Sequence, residues 1–272
     1  MSKRLSSKWI FDELLSSSSV NKLNNILLPQ LGSNIAVDRE LGPGDHFLYF
    51  NPNFSQLSHD GYFQYQTPGA LSAQDLPFLR RMWVQGSIDF LKPLRFNQSY
   101  HCIETIKFLK KVRGDYFVGI RREVTDQSEV LLKEMRTLLY TNSKPLPAKA
   151  TGIFASHTQC TDFTFRDMDI VRYNSLTFNS HRIHWDKQYC IEKEGYQDFI
   201  AQGPFTIHVM LKYAASRLSV PVRKIKYKNL NYIYQGTNVE ICMGAIVENK
   251  CPIWIRDAKD KTVTYVEATL TV

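Results

Sequence analysis

The sequence predicts an α+β fold in which one unit, an antiparallel sheet around a central helix, occurs twice. Three observations carry this. Residues 86–141 divide into four β-type runs, with turn residues at Gly114-Asp115 and Asp126–Ser128. Residues 222–272 divide the same way, with turns at Gln235-Gly236 and Lys259-Asp260-Lys261. Between the two sets lies a strongly apolar helix, Pro204–Leu218.

From the N-terminus, residues 9–28 read as helix, with Leu14, Leu15, Val20, Leu23, Ile26 and Leu27 apolar. The run Ser16–Ser19 can cap a second helical piece, which Pro29 and Gly32 end. Residues 41–85 are irregular, with Gly42-Pro43-Gly44, Asn51-Pro52-Asn53 and Thr67-Pro68-Gly69 around a short apolar strand, Phe47–Phe50. The strands of the first set are 86–96, 100–112, 116–124 and 129–141. Residues 142–150, with Pro145 and Pro147, read as a linker. The second half opens with the apolar stretch 163–176, continues through a polar segment and the helix, and ends in strands 222–234, 237–247, 252–257 and 263–272.

The halves rhyme. Leu94–Tyr100 and Tyr232–Asn238 are both strand, tight turn, strand, and Leu132–Met135 and Val266–Ala268 fall at nearly the same offset. The expected architecture is therefore a double hot-dog, with two antiparallel sheets each wrapping a central helix. The helix is degenerate in the N-terminal half, where the Pro- and Gly-rich residues 41–80 take its place and leave a trough fit for an apolar ligand. The expected division is 1–7 as a targeting remnant, 8–148 as a substrate-accommodating hot-dog without catalytic residues, 149–160 as a linker, and 161–272 as the hot-dog carrying the active site.

With 272 residues, 43% apolar and 22% charged, the chain is globular and can bury a sizeable core. A formal charge of +8 points to an acidic partner. No Lys/Arg block exceeds two residues and no nucleic-acid motif occurs, so nucleic acid is not expected. No apolar run reaches the ~20 residues that span a bilayer. Residues 1–11 carry Lys3, Arg4 and Lys8 among serines with no acid, which is compatible with an organellar presequence. Five scattered cysteines, Cys102, Cys160, Cys190, Cys242 and Cys251, with no CxxC pair, argue for a reducing compartment and against a disulfide framework or zinc site.

Residues 179–186, Asn-Ser-His-Arg-Ile-His-Trp-Asp, gather titratable groups as no other stretch does. Adding or removing water needs one group that moves protons near neutral pH and one that holds the oxygen. His184 can do the first, and Asn179, five residues earlier, the second. Gly203 precedes Pro204 at the start of the apolar helix, so its N–H can bind the oxyanion of a thioester enolate. His181, Arg182 and Asp186 are read as support for this loop. His46, His59, His101, His157 and His208 are read as ordinary core or surface histidines. His181 and His184 lack a third ligand for a metal.

Asn179–Asp186, followed by Glu194-Gly195-Tyr196 and Gln202-Gly203-Pro204, resembles the variant signature of MaoC-like hot-dog hydratases. It is most similar to the fungal mitochondrial 3-hydroxyacyl-thioester dehydratases of type 2. Arg80-Arg81-Met82-Trp83, Gly86, Pro93-Leu94, Gly44–Phe50, Asp60-Gly61-Tyr62-Phe63, Asp167–Val171 and Tyr227–Tyr234 extend the resemblance from about residue 8 to the end. The resemblance implies one active site, in the second half. It implies reversible dehydration of (3R)-3-hydroxyacyl thioesters to trans-2-enoyl thioesters in mitochondrial type II fatty acid synthesis, with no cofactor.

It also implies acyl carrier protein as the acidic partner, with Arg217, Arg223, Lys224, Lys226 and Lys228, or Arg80/Arg81 and Lys110/Lys111/Arg113, as candidate contacts. A homodimer is a further expectation. Where the R-specific hydratase pattern has Asp and His five apart, this chain has Asn179 and His184. That departure shifts the proton transfers onto His184 and keeps open a catalytically silent acyl-binding protein. The other alternative is an enoyl-CoA or mesaconyl-type hydratase acting in degradation.

Overall fold

The computed structural model describes residues 7–32, 39–151 and 159–272. Most of the targeting segment expected at 1–7, part of the linker expected at 149–160, and His157 lie outside the described residues. The first half contains β1 (Lys8–Leu14), α1 (Ser17–Leu31), α2 (Pro68–Ser72), β2 (Arg80–Phe90), β3 (Ser99–Val112), β4 (Asp115–Thr125) and β5 (Val130–Thr141). The second contains β6 (Gln159–Thr164), α3 (Asp167–Leu176), the single turn α4 (Lys187–Tyr189), α5 (Gly203–Arg217), β7 (Lys224–Asn229), β8 (Asn238–Met243), β9 (Lys250–Asp257) and β10 (Thr264–Thr271).

All ten strands of the described residues form one sheet, in the order β1-β3-β4-β5-β2-β7-β10-β9-β8-β6. Each half contributes five strands in the same relative order, so β1, β3, β4, β5 and β2 correspond to β6, β8, β9, β10 and β7. The halves join where β2 pairs antiparallel with β7, from Gln85 opposite Lys228 to Asp89 opposite Lys224. The double hot-dog is thus one continuous sheet rather than two separate ones. The repeat also shows in backbone conformation. Asn97 and Gly236, at matching turns before β3 and β8, both take positive φ, 61° and 75°. Asp60-Gly61-Tyr62 and Glu194-Gly195-Tyr196 share a glycine at φ 77°.

Two local expectations are corrected. Residues 8–14 form an edge strand on β3, not helix. Trp9, Ile10 and Phe11 are strand formers, and alternation turns Phe11 inward and leaves Ile10 and Leu14 outside. The helix proper begins after Ser16, whose hydroxyl accepts from the Ser18 N–H, and ends at Gly32 in the left-handed region. Residues 45–48 are a buried 3-10 turn, not a strand, because Gly44 at φ 92° reverses the chain before it. A Cβ at Gly44 would meet the His208 ring at 2.8 Å.

The central helix α5 is buried from Phe205 to Ala214. Such all-round burial requires an apolar sequence, and each of Phe205, Ile207, Val209, Leu211 and Tyr213 contributes about 1.5–3 kcal/mol by leaving water. Its one buried cation, Lys212, is neutralised by Asp45 of the first half at 2.6 Å, and His208 Nε2 lies 3.0 Å from the same carboxylate. His208 is therefore a satisfied core histidine, as its place in an apolar run suggests.

In the first half the corresponding helix is the five-residue stub α2, capped by Thr67. The inner face of that sheet carries a ladder of opposite charges. Arg122 lies between Glu104 and Glu134 (3.3 and 3.6 Å), and Arg136 pairs with Glu134 at 2.6 Å.

The reading against a disulfide is also corrected. Cys160 and Cys242 face each other on β6 and β8 and are joined, with Cα atoms 4.2 Å apart. They are 82 residues apart in sequence, so only the strand register reveals the pair. Cys102, Cys190 and Cys251 are free and buried.

Candidate active site

The site is built on the end of α3. The Asn179 N–H donates to Asn174 O at 2.9 Å, closing the helix, while Phe178 turns the chain through a positive φ of 49°. Asn179 Oδ1 then accepts from the His181 N–H at 3.0 Å. The amide oxygen is thus engaged by its own loop, and Nδ2 is the group left to meet a ligand.

Residues 182–184 form a 3-10 turn, and His184 Nδ1 donates to Ile200 O at 2.8 Å. That bond places the ring proton on Nδ1 and leaves Nε2 as the basic nitrogen. Ile200 in turn donates its N–H to Ile183 O at 3.0 Å, which straps the histidine to the chain entering α5. Gly203 is the first residue of α5, where N–H groups have no partner within the helix. A Cβ there would lie 3.1 Å from Asn229 Nδ2 and 3.2 Å from Trp83 Cβ, so a side chain would crowd the approach to that N–H.

Asn179, His181, His184 and Gly203 all line one cavity of about 690 Å³. Arg182 and Asp186 do not. They pair with each other at 2.9 Å, Asp186 caps α4 through the Tyr189 N–H, and Arg182 stacks on the Tyr189 ring.

His181 stands behind His184, with ring centres 5.3 Å apart, and its Nε2 lies 3.5 Å from Asp60 Oδ2. Asp60 is fully buried and bound to Arg81 at 2.9 Å. The Arg81 guanidinium donates to Phe63 O and sits about 5 Å from the rings of Tyr62, Phe78 and Tyr140. The first half thus supplies Tyr62, Arg81, Trp83 and Arg136 to the cavity wall.

Tyr62 and Trp83 have no role in the sequence reading, and Arg80/Arg81, expected there as carrier-protein contacts, are buried and cannot dock a partner. The signal that could have found them is Arg80-Arg81 inside a strand. Both are buried, and a buried guanidinium requires an acid nearby.

Burial lowers both histidines, His184 to about 4 and His181 to about 3 despite the pull of Asp60. His184 is therefore neutral, ready to accept a proton, throughout the neutral range. The acid limb of kcat/KM is expected near pH 4 rather than 6.5, measured as initial rates across pH.

The stability profile follows from the same shifts. The stabilisation from keeping His46 (about 3), His181 and His184 neutral is complete above pH 6.5 and is lost as pH falls toward these folded values. Glu194, buried and pushed up to about 8, acts oppositely. Its contribution is complete below pH 4.5 and is lost as pH rises. Balancing three histidines against one glutamate puts the Tm maximum at about pH 7, measurable by thermal melts across pH.

The fold, with its single long central helix and an Asn/His pair beside that helix's N-terminus, is of the double hot-dog class. It superposes on HtdX of Mycobacterium tuberculosis with a TM-score of 0.70 over 97% of this chain and 99% of that one, at 14% identity. The chain belongs to the hydroxyacyl-thioester dehydratase type 2 family, whose model matches residues 44–235. It is 37% identical to the mitochondrial hydroxyacyl-thioester dehydratase type 2 of Saccharomyces cerevisiae, over 97% of this chain and 98% of that protein. With its Schizosaccharomyces pombe namesake it shares 29% identity, over 88% and 91%.

Proposed function

We propose that the protein catalyses reversible dehydration of (3R)-3-hydroxyacyl thioesters to trans-2-enoyl thioesters in mitochondrial type II fatty acid synthesis. Family membership and the compartment named for both yeast relatives support the setting. The observation that carries the chemistry is His184, with its proton held on Nδ1 by Ile200 O, in one cavity with the N-terminus of α5.

In the dehydration direction His184 Nε2 removes the Cα proton. The electron pair enters the thioester carbonyl, whose oxygen is held by the Gly203 N–H at the positive end of the helix. The enolate then expels the β-hydroxyl, which takes the same proton from His184 and leaves as water. The histidine ends as it began. The step is redox-neutral and needs no cofactor. Asn179 Nδ2 donates to the departing oxygen. Asn179→Ala is expected to lower kcat by about 10²-fold, the size of losing one well-placed donor, with KM little changed. A steady-state comparison of the variant with the unmodified protein checks this.

Acyl carrier protein is the proposed acidic partner. Arg217 at the end of α5, and Arg223 and Lys226 beyond it, are exposed, whereas Lys224 and Lys228 are engaged by Asp89 and Glu267. Docking through these charges requires the second-order rate with acyl carrier protein to fall as salt rises, and a flat salt response would remove this contact set. The homodimer is tested by sedimentation.

A further inference from the structure

One part of the cavity is not used by the chemistry above. Its exposed end is lined by Ser143, Lys144, Leu146, Pro147 and Lys149, part of a strap, residues 142–151, that runs from the end of β5 toward the second half. Three contacts pin this strap. Pro145 packs against Gly195, where a glycine Cβ would lie 3.4 Å from Pro145 Cδ. The Lys149 N–H donates to Asn231 Oδ1 at 3.0 Å, and Asn231 Nδ2 donates back to Lys149 O at 3.1 Å. The Thr151 N–H donates to Thr262 O at 2.9 Å.

Lys144 and Lys149 of the strap line the cavity and are exposed, whereas His181 and His184 at its inner end are buried. Six other lysines, Lys92, Lys187, Lys212, Lys224, Lys228 and Lys261, are paired with carboxylates. Lys144 and Lys149 have no such partner among the described residues. Asp115 is the acid on the same lining, so the opening carries two ammonium groups against one carboxylate.

We propose that Lys144 and Lys149 hold the phosphate of the 4′-phosphopantetheine arm. This rests on the thioester reading above. With the thioester carbonyl at Gly203, the acyl chain occupies the buried end, so the polar arm must leave through the strapped opening. That arm carries a phosphate whether the carrier is a protein or coenzyme A. A backbone pinned at three points fixes where both side chains leave the strap, so only their own rotamers remain to be ordered on binding.

The test compares crotonyl-pantetheine, crotonyl-4′-phosphopantetheine and crotonyl-CoA as substrates of the whole chain and of its Lys144→Ala/Lys149→Ala variant. Both positions are exposed, so the fold is not at risk. The ratio of kcat/KM for crotonyl-4′-phosphopantetheine over crotonyl-pantetheine is expected to fall about tenfold in the variant, through KM, the sum of two exposed charge contacts. It is expected to be restored in Lys144→Arg/Lys149→Arg. An unchanged ratio would overturn the proposal. So would a loss confined to crotonyl-CoA, because the lysines would then serve the nucleotide phosphates. If the unmodified protein turned over none of the three, the dehydratase reading itself would fall, a result distinct from a silent double variant.

Discussion

His184→Ala is expected to lower kcat by about 10³-fold, within the range that one positioned acid–base group contributes. The expectation is this large because Asn179 cannot share the proton transfers. Its amide is neither an acid nor a base near neutral pH, and its oxygen is engaged by the His181 N–H. The loss should appear in both directions of the reaction, since one nitrogen gives and takes the same proton. His184→Gln, which retains a donor for Ile200 O, separates structure from chemistry: its Tm should stay near that of the unmodified protein while its activity stays low. Activity within tenfold of the unmodified protein in either variant would remove His184 from the mechanism.

Asp60→Ala is expected to cost about 3–5 kcal/mol of stability, a fall in Tm of roughly 10 °C. Arg81 is buried, and the three rings around it cannot replace a carboxylate. Removing the acid leaves a guanidinium without its counter-charge, which costs more than the pair contributes when intact. Asp60→Asn should fall between the two, because the one amide oxygen, at the place of Oδ1, can still accept from Arg81 Nη2 and from the Tyr62 N–H. The disturbance should extend to activity. The Asp60 backbone carbonyl accepts from the Arg182 N–H at 2.9 Å, and its side chain faces His181, so the first half braces the loop that carries His184. Thermal melts read the stability. An Asp60→Ala protein melting within about 2 °C of the unmodified chain would contradict the account of this pair.

Much of this was legible in the sequence, for identifiable reasons. The strands from 99 to 141 and from 238 to 271 are separated by short turns, so each announces itself locally, whereas the first strand, read at 86–96, runs from Arg80 to Phe90. The helix at 203–217 is apolar on every side, which only a central position explains. Asn179, His184 and Gly203 lie within 25 residues of one another, so one segment brings all three to the cavity, whose remaining wall comes largely from the first half.

What was hidden depends on long-range contact. The strand at 8–14 is defined by β3, about ninety residues later, and its apolar residues fit a helical reading equally well. Cys160 finds Cys242 only through strand register. Asp60 and Arg81 acquire their role from His181, 121 and 100 residues away, and no spacing rule links them. The charged ladder of Glu104, Arg122, Glu134 and Arg136 could not be placed without knowing which strands are neighbours.

The most direct measurement of the central reading is the absorbance of a trans-2-enoyl thioester, crotonyl-CoA, on addition of the protein, with chiral analysis of the product. The enoyl absorbance should fall to an equilibrium value. The product should be the (3R)-3-hydroxybutyryl thioester, and that compound, but not its (3S) isomer, should regenerate the enoyl absorbance when supplied alone. No change in absorbance with folded protein, or a (3S) product, would contradict it.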